Sequence, residues 1–275
     1  MKKILCFLFI FCILFLSFKK TSSNNNEQVN LNAKINNEIS DNNSIKIAYF
    51  NVDPHVYLDE KTGEIKGAVY EMIEKHISKE MGIKFIWDKE PTNVPRQLKI
   101  LETEKNYASA VLILTPDRQK KYNFTEKPYF LSQSAIAVLK NNKLNKISKI
   151  DDIIEMKIGY AQKNVITPFM KDERLNFDLL SDPNYQVLNY EKLLNNRLDA
   201  VYLPDKAALL ALASRMNIEN KIKVINLPEN PSPFYIVFSK GSEDILEKYN
   251  KAFNKLNGQK LYLNILKKYL DTSKL

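Results

Sequence analysis

Residues 108–114 read ASAVLIL, seven in a row without a charge, a proline or a glycine. A strand with one face in water alternates polar and apolar residues, whereas a strand covered on both faces reads as a continuous apolar run. This segment therefore predicts a buried strand of the parallel kind, and its surroundings agree. A strand at 45–50 precedes a loop with Pro54 and Gly63, then a helix at 68–80 whose Val69, Met72, Ile73, Ile77 and Met81 share one apolar face. A strand at 83–87 and a helix from Val94, with Leu98 and Leu101 inward, complete a βαβαβ unit.

The pattern then restarts. A polar and aromatic connection at 115–130 leads to a strand at 134–139. A second unit follows: strand 156–160, helix 165–171, strand 186–188, helix 190–195, strand 199–203, helix 205–216 and strand 221–226. A strand at 234–238, a helix capped by Ser242 with Ile245, Leu246, Tyr249, Phe253 and Leu256 inward, and a helix at 261–270 close the chain. The fold class is α/β in two units. The short strands 134–139 and 234–238 bracket the second unit and read as a two-strand hinge.

The amino terminus is of another kind. Lys2 and Lys3 precede an apolar run at 4–16, which ends at Ser17, Phe18, Lys19 and Lys20. Spanning a bilayer takes about 20 apolar residues, so the shorter run reads as a signal peptide at 1–23, with Thr21 and Ser23 as the small pair at the cleavage site. Cys6 and Cys12 both lie inside the run and follow the bulky Leu5 and Phe11, which disfavours lipid attachment. Removal of 1–23 leaves no cysteine, excluding a disulfide framework and a thiolate metal site. Residues 24–44, dominated by Asn, Ser and Glu, read as a disordered tether.

The formal charge is +9, from 41 basic and 32 acidic residues; without Lys2, Lys3, Lys19 and Lys20 it falls to +5. The remaining lysines are scattered, which reads as a solvated surface and not as a nucleic-acid footprint.

Five segments in order carry a family resemblance: IAYFNVDPHVYLDEKTGEIKGAVYEMI at 47–73, TPDRQKKYNFTEKPYF at 115–130, MKIGYAQ at 156–162, NNRLDAVYL at 195–203 and SPFYIVFSKG at 232–241. Together they resemble the family 3 extracellular solute-binding proteins, of the amino-acid ABC-transporter type. The resemblance implies the type II periplasmic-binding-protein fold, two lobes with a ligand cleft between them and a two-strand hinge. It places lobe 1 at 45–134 and 239–275, and lobe 2 at 138–234.

It also implies site residues. In Thr115, Pro116, Asp117, Arg118 the arginine takes the place of the family's carboxylate grip, and a planar two-pronged guanidinium suits that task. His55 stands where the family stacks an aromatic ring on the ligand, with Tyr57 close by. Lys163 and Asn164 stand in the turn that presents helix-start amides to an anion. Tyr160 and Tyr202 end strands at the expected cleft, and Arg96 opens a helix of the first lobe. Amino-acid binders of the family carry Ser or Thr where this chain has Val111 and Ile113, and an Asp where it has Pro204. Asp205, one residue late, serves either as an ammonium contact or as the cap of the helix that follows.

The implied function is non-enzymatic capture of a small polar, carboxylate-bearing, amino-acid-like molecule for a membrane ABC permease. No cofactor and no metal site are expected, and a periplasmic monomer is. Two alternatives share the fold: a cyclohexadienyl or arogenate dehydratase-like enzyme using Glu71 or Asp205 as its acid, and a ligand-sensing adaptor.

Overall fold

The computed structural model describes residues 43–275. The expected signal peptide at 1–23 and the tether up to residue 42 lie outside them. Two sheets organise the chain. The first runs β4 (Lys84–Trp87), β1 (Ser44–Ala48), β5 (Tyr107–Ile113), β13 (Ser232–Phe238), β6 (Asn123–Phe124), with β7 (Phe130–Ser132) also paired to β13. The second runs β10 (Asn176–Leu180), β9 (Lys157–Ala161), β11 (Ala200–Leu203), β8 (Ala135–Leu139), β12 (Ile222–Asn226). A hairpin of β2 (Tyr57–Asp59) and β3 (Glu64–Lys66) stands apart.

The apolar run at 108–114 is the centre of the first sheet, and all seven residues of β5 are buried. It pairs in parallel with β1 on one side, Ile47 opposite Ala108, and antiparallel with β13 on the other, Phe234 opposite Ile113. In the second sheet β9 is parallel to β10 and β11, while β8 is antiparallel to β11 and β12. The chain passes between the sheets twice, just before each expected hinge strand. Ser132 of β7 leads through Gln133 and Ser134 into β8, and Asn226 of β12 returns through 227–231 into β13. The two passages are tied side by side: Leu227 N–H donates to Ser134 C=O (2.9 Å), and the Gln133 amide donates to Leu227 C=O (2.9 Å).

Helices cover the sheets. α1 (Ala68–Met72) runs through a π turn (Ile73–Ile77) into α2 (Ser78–Met81), and Gly82 ends it in the left-handed conformation. Val69, Met72, Ile73 and Ile77 are all fully buried on this element. α3 (Val94–Thr103) starts at Asn93, whose side chain accepts from Arg96 N–H (3.0 Å). α4 (Pro116–Lys121), α5 (Tyr185–Leu194), α6 (Lys206–Arg215), α7 (Glu243–Lys255) and α8 (Gly258–Leu266) follow. Most buried residues of both sheets join in one core, and Leu112 and Val237 form a smaller cluster with Leu101 and Tyr122. No helix among the described residues is long and apolar enough to cross a membrane.

Two expected elements are replaced. At 165–171 there is only a 3₁₀ turn (Pro168–Lys171), because Pro168 holds Thr167 extended and supplies no N–H to an earlier turn. The expected strand at 186–188 lies inside α5, and the strand is β10, which ends six residues before residue 186. Tyr185, Gln186, Asn189, Tyr190 and Leu193 are buried at helical spacing, whereas β10 is an edge strand with no fully buried residue. Ser242 precedes α7 as expected, but its hydroxyl bonds the Ser239 hydroxyl (3.0 Å) and not the helix amides.

Candidate functional site

A cavity of about 30 Å³ lies where the strand ends of the two sheets face each other. The first-sheet lobe contributes Phe50 and Val52 after β1, Val111, Leu112 and Ile113 of β5, Arg118 of α4, and Phe234 of β13. The second-sheet lobe contributes Asn164 after β9, Tyr185, Gln186 and Ala208 from helices, and Leu203, Pro204 and Asp205 at the end of β11. In open α/β sheets ligands bind beyond the carboxyl ends of the strands, and these residues stand there.

Arg118 is the cation of this cavity. Thr115 caps α4 by accepting from Arg118 N–H (3.2 Å), which fixes the turn that carries the arginine. The side chain is only 7% exposed, and Nη1 donates to Ile113 C=O (3.1 Å). It forms no ion pair among the described residues. Burial pulls its pKa below the ordinary arginine value, partly offset by Tyr160 and Tyr122. A buried charge without a partner is costly unless something negative joins it.

Asp205, the one acid in the lining, is already engaged. One oxygen accepts from the Ser132 hydroxyl and from Ala207 N–H (3.0 Å), capping α6; the other meets His55 Nε2 at 2.6 Å. A carboxylate only accepts, so Nε2–H donates. His55 Nδ1 lies 2.5 Å from the Tyr262 hydroxyl of α8, and its ring stacks at 5.6 Å on Phe234 and 5.9 Å on Tyr262. His55 is thus a fully buried strut between the lobes. Its neighbours on the same loop also bridge: the Asn51 amide donates to Asn184 Oδ1 (2.7 Å), and Arg215 Nη2 donates to the buried Asp53 (3.0 Å).

The expected site residues therefore divide. Arg118, Asn164 and Asp205 line the cavity, and Thr115 positions Arg118. His55 does not line it; Val52 and Phe50 do, and His55 instead holds Asp205. Tyr57 packs under the Arg215 guanidinium, 5.2 Å from the ring centre, away from the lining. Tyr160 and Tyr202 are buried inside the second lobe, ring against ring at 4.6 Å; Tyr160 donates to Val165 C=O (2.6 Å) and Tyr202 accepts from Thr167 N–H (3.1 Å). Lys163 is exposed with φ +59°, and no helix begins there to offer amides. Arg96 is exposed at the start of α3. Glu71 lies outside the lining; burial raises its pKa, but Lys268 and Tyr269 more than offset that and hold it below the usual range. Phe50, Val52, Tyr185, Gln186 and Phe234 are lining residues the sequence did not single out, although Phe50 follows the carboxyl end of β1, where the rule for open α/β sheets points.

A sequence model of the bacterial extracellular solute-binding proteins, family 3, matches residues 45–272. The chain belongs to that family. Solved structures with the same fold include an ancestral arginine-binding protein bound to glutamine (TM-score 0.70, 23% identity, 83% of this chain and 98% of that one). Another is the P235GK mutant of the arginine-binding protein ArgBP from T. maritima (TM-score 0.70, 19% identity, 85% and 97% covered). A third is the ancestral amino-acid-binding protein AncCDT-1, described as a precursor of cyclohexadienyl dehydratase (TM-score 0.67, 19% identity, 86% and 99% covered). At these identities the likeness is one of fold: this family 3 protein has the two-lobed α/β architecture of type II periplasmic binding proteins.

Proposed function

We propose that this family 3 protein captures a small carboxylate-bearing molecule between its lobes, outside the cytoplasmic membrane, and delivers it to an ABC permease. The observation that carries the reading is Arg118, buried beside the cavity with no acidic partner among the described residues. A ligand carboxylate would supply the missing counter-charge through two parallel N–H···O bonds. The first-sheet lobe, residues 45–132 with 232–275, and the second-sheet lobe, residues 135–226, would be the two bodies that close. Micromolar capture needs about 8 kcal/mol, within reach of one buried ion pair, a few hydrogen bonds and apolar contact, less ordering costs. A dehydratase would need a free acid in the cavity, whereas Asp205 is bonded by three donors and Glu71 lies elsewhere.

The test is thermal unfolding of the purified protein with a panel of carboxylates, followed by recovery of each compound. At 100 times its dissociation constant a ligand adds about 2.7 kcal/mol to the folded state. A carboxylate that raises the midpoint, returns unchanged, and has no effect on Arg118→Met supports the reading. A carboxylate consumed by the protein, or one that stabilises Arg118→Met equally, refutes it.

A further inference from the structure

The walls around Arg118 narrow the ligand further, given the reading that the arginine takes a carboxylate. Beside it stand Val111 and Ile113, with Phe50 and Val52 flanking, and across the cavity are Leu203 and Pro204. None of these six side chains can accept a hydrogen bond from an ammonium group. The polar remainder, Asn164, Tyr185 and Gln186, is partly bonded within itself: the Gln186 amide donates to the Tyr185 hydroxyl at 3.1 Å.

An α-amino acid brings a cation about 3 Å from its carboxylate, and a buried cation needs an acid or several acceptors. The lining offers one acid, Asp205, and its oxygens already accept from His55, Ser132 and Ala207. Taking it for a ligand would strip the bridge that joins the lobes.

We infer that the cavity prefers a monocarboxylate without an amino group, its carboxylate on Arg118 and its tail among Val52, Val111 and Leu203. The amine is disfavoured because the one acid that could pair with it, Asp205, is already bonded by three donors, and longer chains because Phe50 and Tyr185 wall the cavity off from the pocket beyond them.

The experiment compares matched pairs on the purified protein by calorimetric titration and thermal unfolding: propionate with alanine, butyrate with 2-aminobutyrate, and arginine as the long cation. At saturating propionate or butyrate the midpoint should rise by about 5–10 °C, and each amino compound should bind roughly 100-fold more weakly than its partner. Alanine or arginine binding as tightly as propionate, and needing Arg118, would overturn this inference while leaving carboxylate capture intact. If no member of either series binds at millimolar concentration, or if propionate binds Arg118→Met undiminished, the carboxylate reading falls with it.

Discussion

His55 and Asp205 illustrate how single side chains in this protein serve two bodies at once. The pair is buried, closes across the lobes at 2.6 Å, and is extended to Tyr262 and Ser132. Removing one member leaves the other buried without its partner, which typically costs 3–5 kcal/mol. His55→Ala should therefore lower the unfolding free energy by about that amount in urea titration. Gly67 backs the same loop at φ +125°, and a Cβ there would stand 2.4 Å from the His55 carbonyl oxygen. Gly67→Ala should cost about 1–3 kcal/mol or more, since both the conformation and the contact are lost. Asp53 adds a pH dependence: burial raises its pKa, and the Arg215 pair only partly offsets this. A raised carboxylate pKa means that the folded state binds the proton more readily, so this contribution favours folding at low pH and is lost as pH rises through the folded pKa. The stability of the native protein relative to Asp53→Asn should accordingly decline as pH rises above about 4, the ordinary aspartate value; denaturant midpoints across pH 3–7 would show it.

At the scale of elements, packing decided the two places where local pattern misled. QVL at 186–188 reads as a strand by itself, but α5 is held by what it touches. Tyr190 donates to Leu209 C=O of α6 (2.8 Å), and Asn189 presses on Gly159 of β9, where an added Cβ would meet Leu198 at 2.4 Å. Leu193→Ala should cost about 2–5 kcal/mol, as for a fully buried leucine, and Tyr190→Phe about 1 kcal/mol. Equal small losses for both would contradict the packing of α5. The edge strand β10 was invisible for the opposite reason: with little burial there is no alternation to read. By contrast β5, α1 and α6 were legible because each carries an apolar pattern that burial enforces. Of the site, Thr115, Arg118, Asn164 and Asp205 were singled out through the family resemblance, whose motifs they stand in or next to. Phe50, Val52, Tyr185 and Phe234 were not, since an apolar residue facing a cavity and one facing the core look alike in sequence.

The described residues form two main sheets joined by two adjoining passages, with a cavity to which each lobe gives seven residues. That shared ownership means the cavity exists only while the lobes are together, and Asn51–Asn184, Asp53–Arg215, His55–Asp205 and Ser132–Asp205 are among the contacts that hold them there. The consequence lies in time. If the protein captures its ligand by closure as proposed, entry and exit would share one waiting period, the interval for those contacts to let go. In stopped-flow mixing the observed rate should level off at high ligand concentration, at a ceiling set by opening and not by diffusion. Asn51→Ala should lift that ceiling and shorten the stay of the bound molecule, although Asn51 itself never touches the cavity.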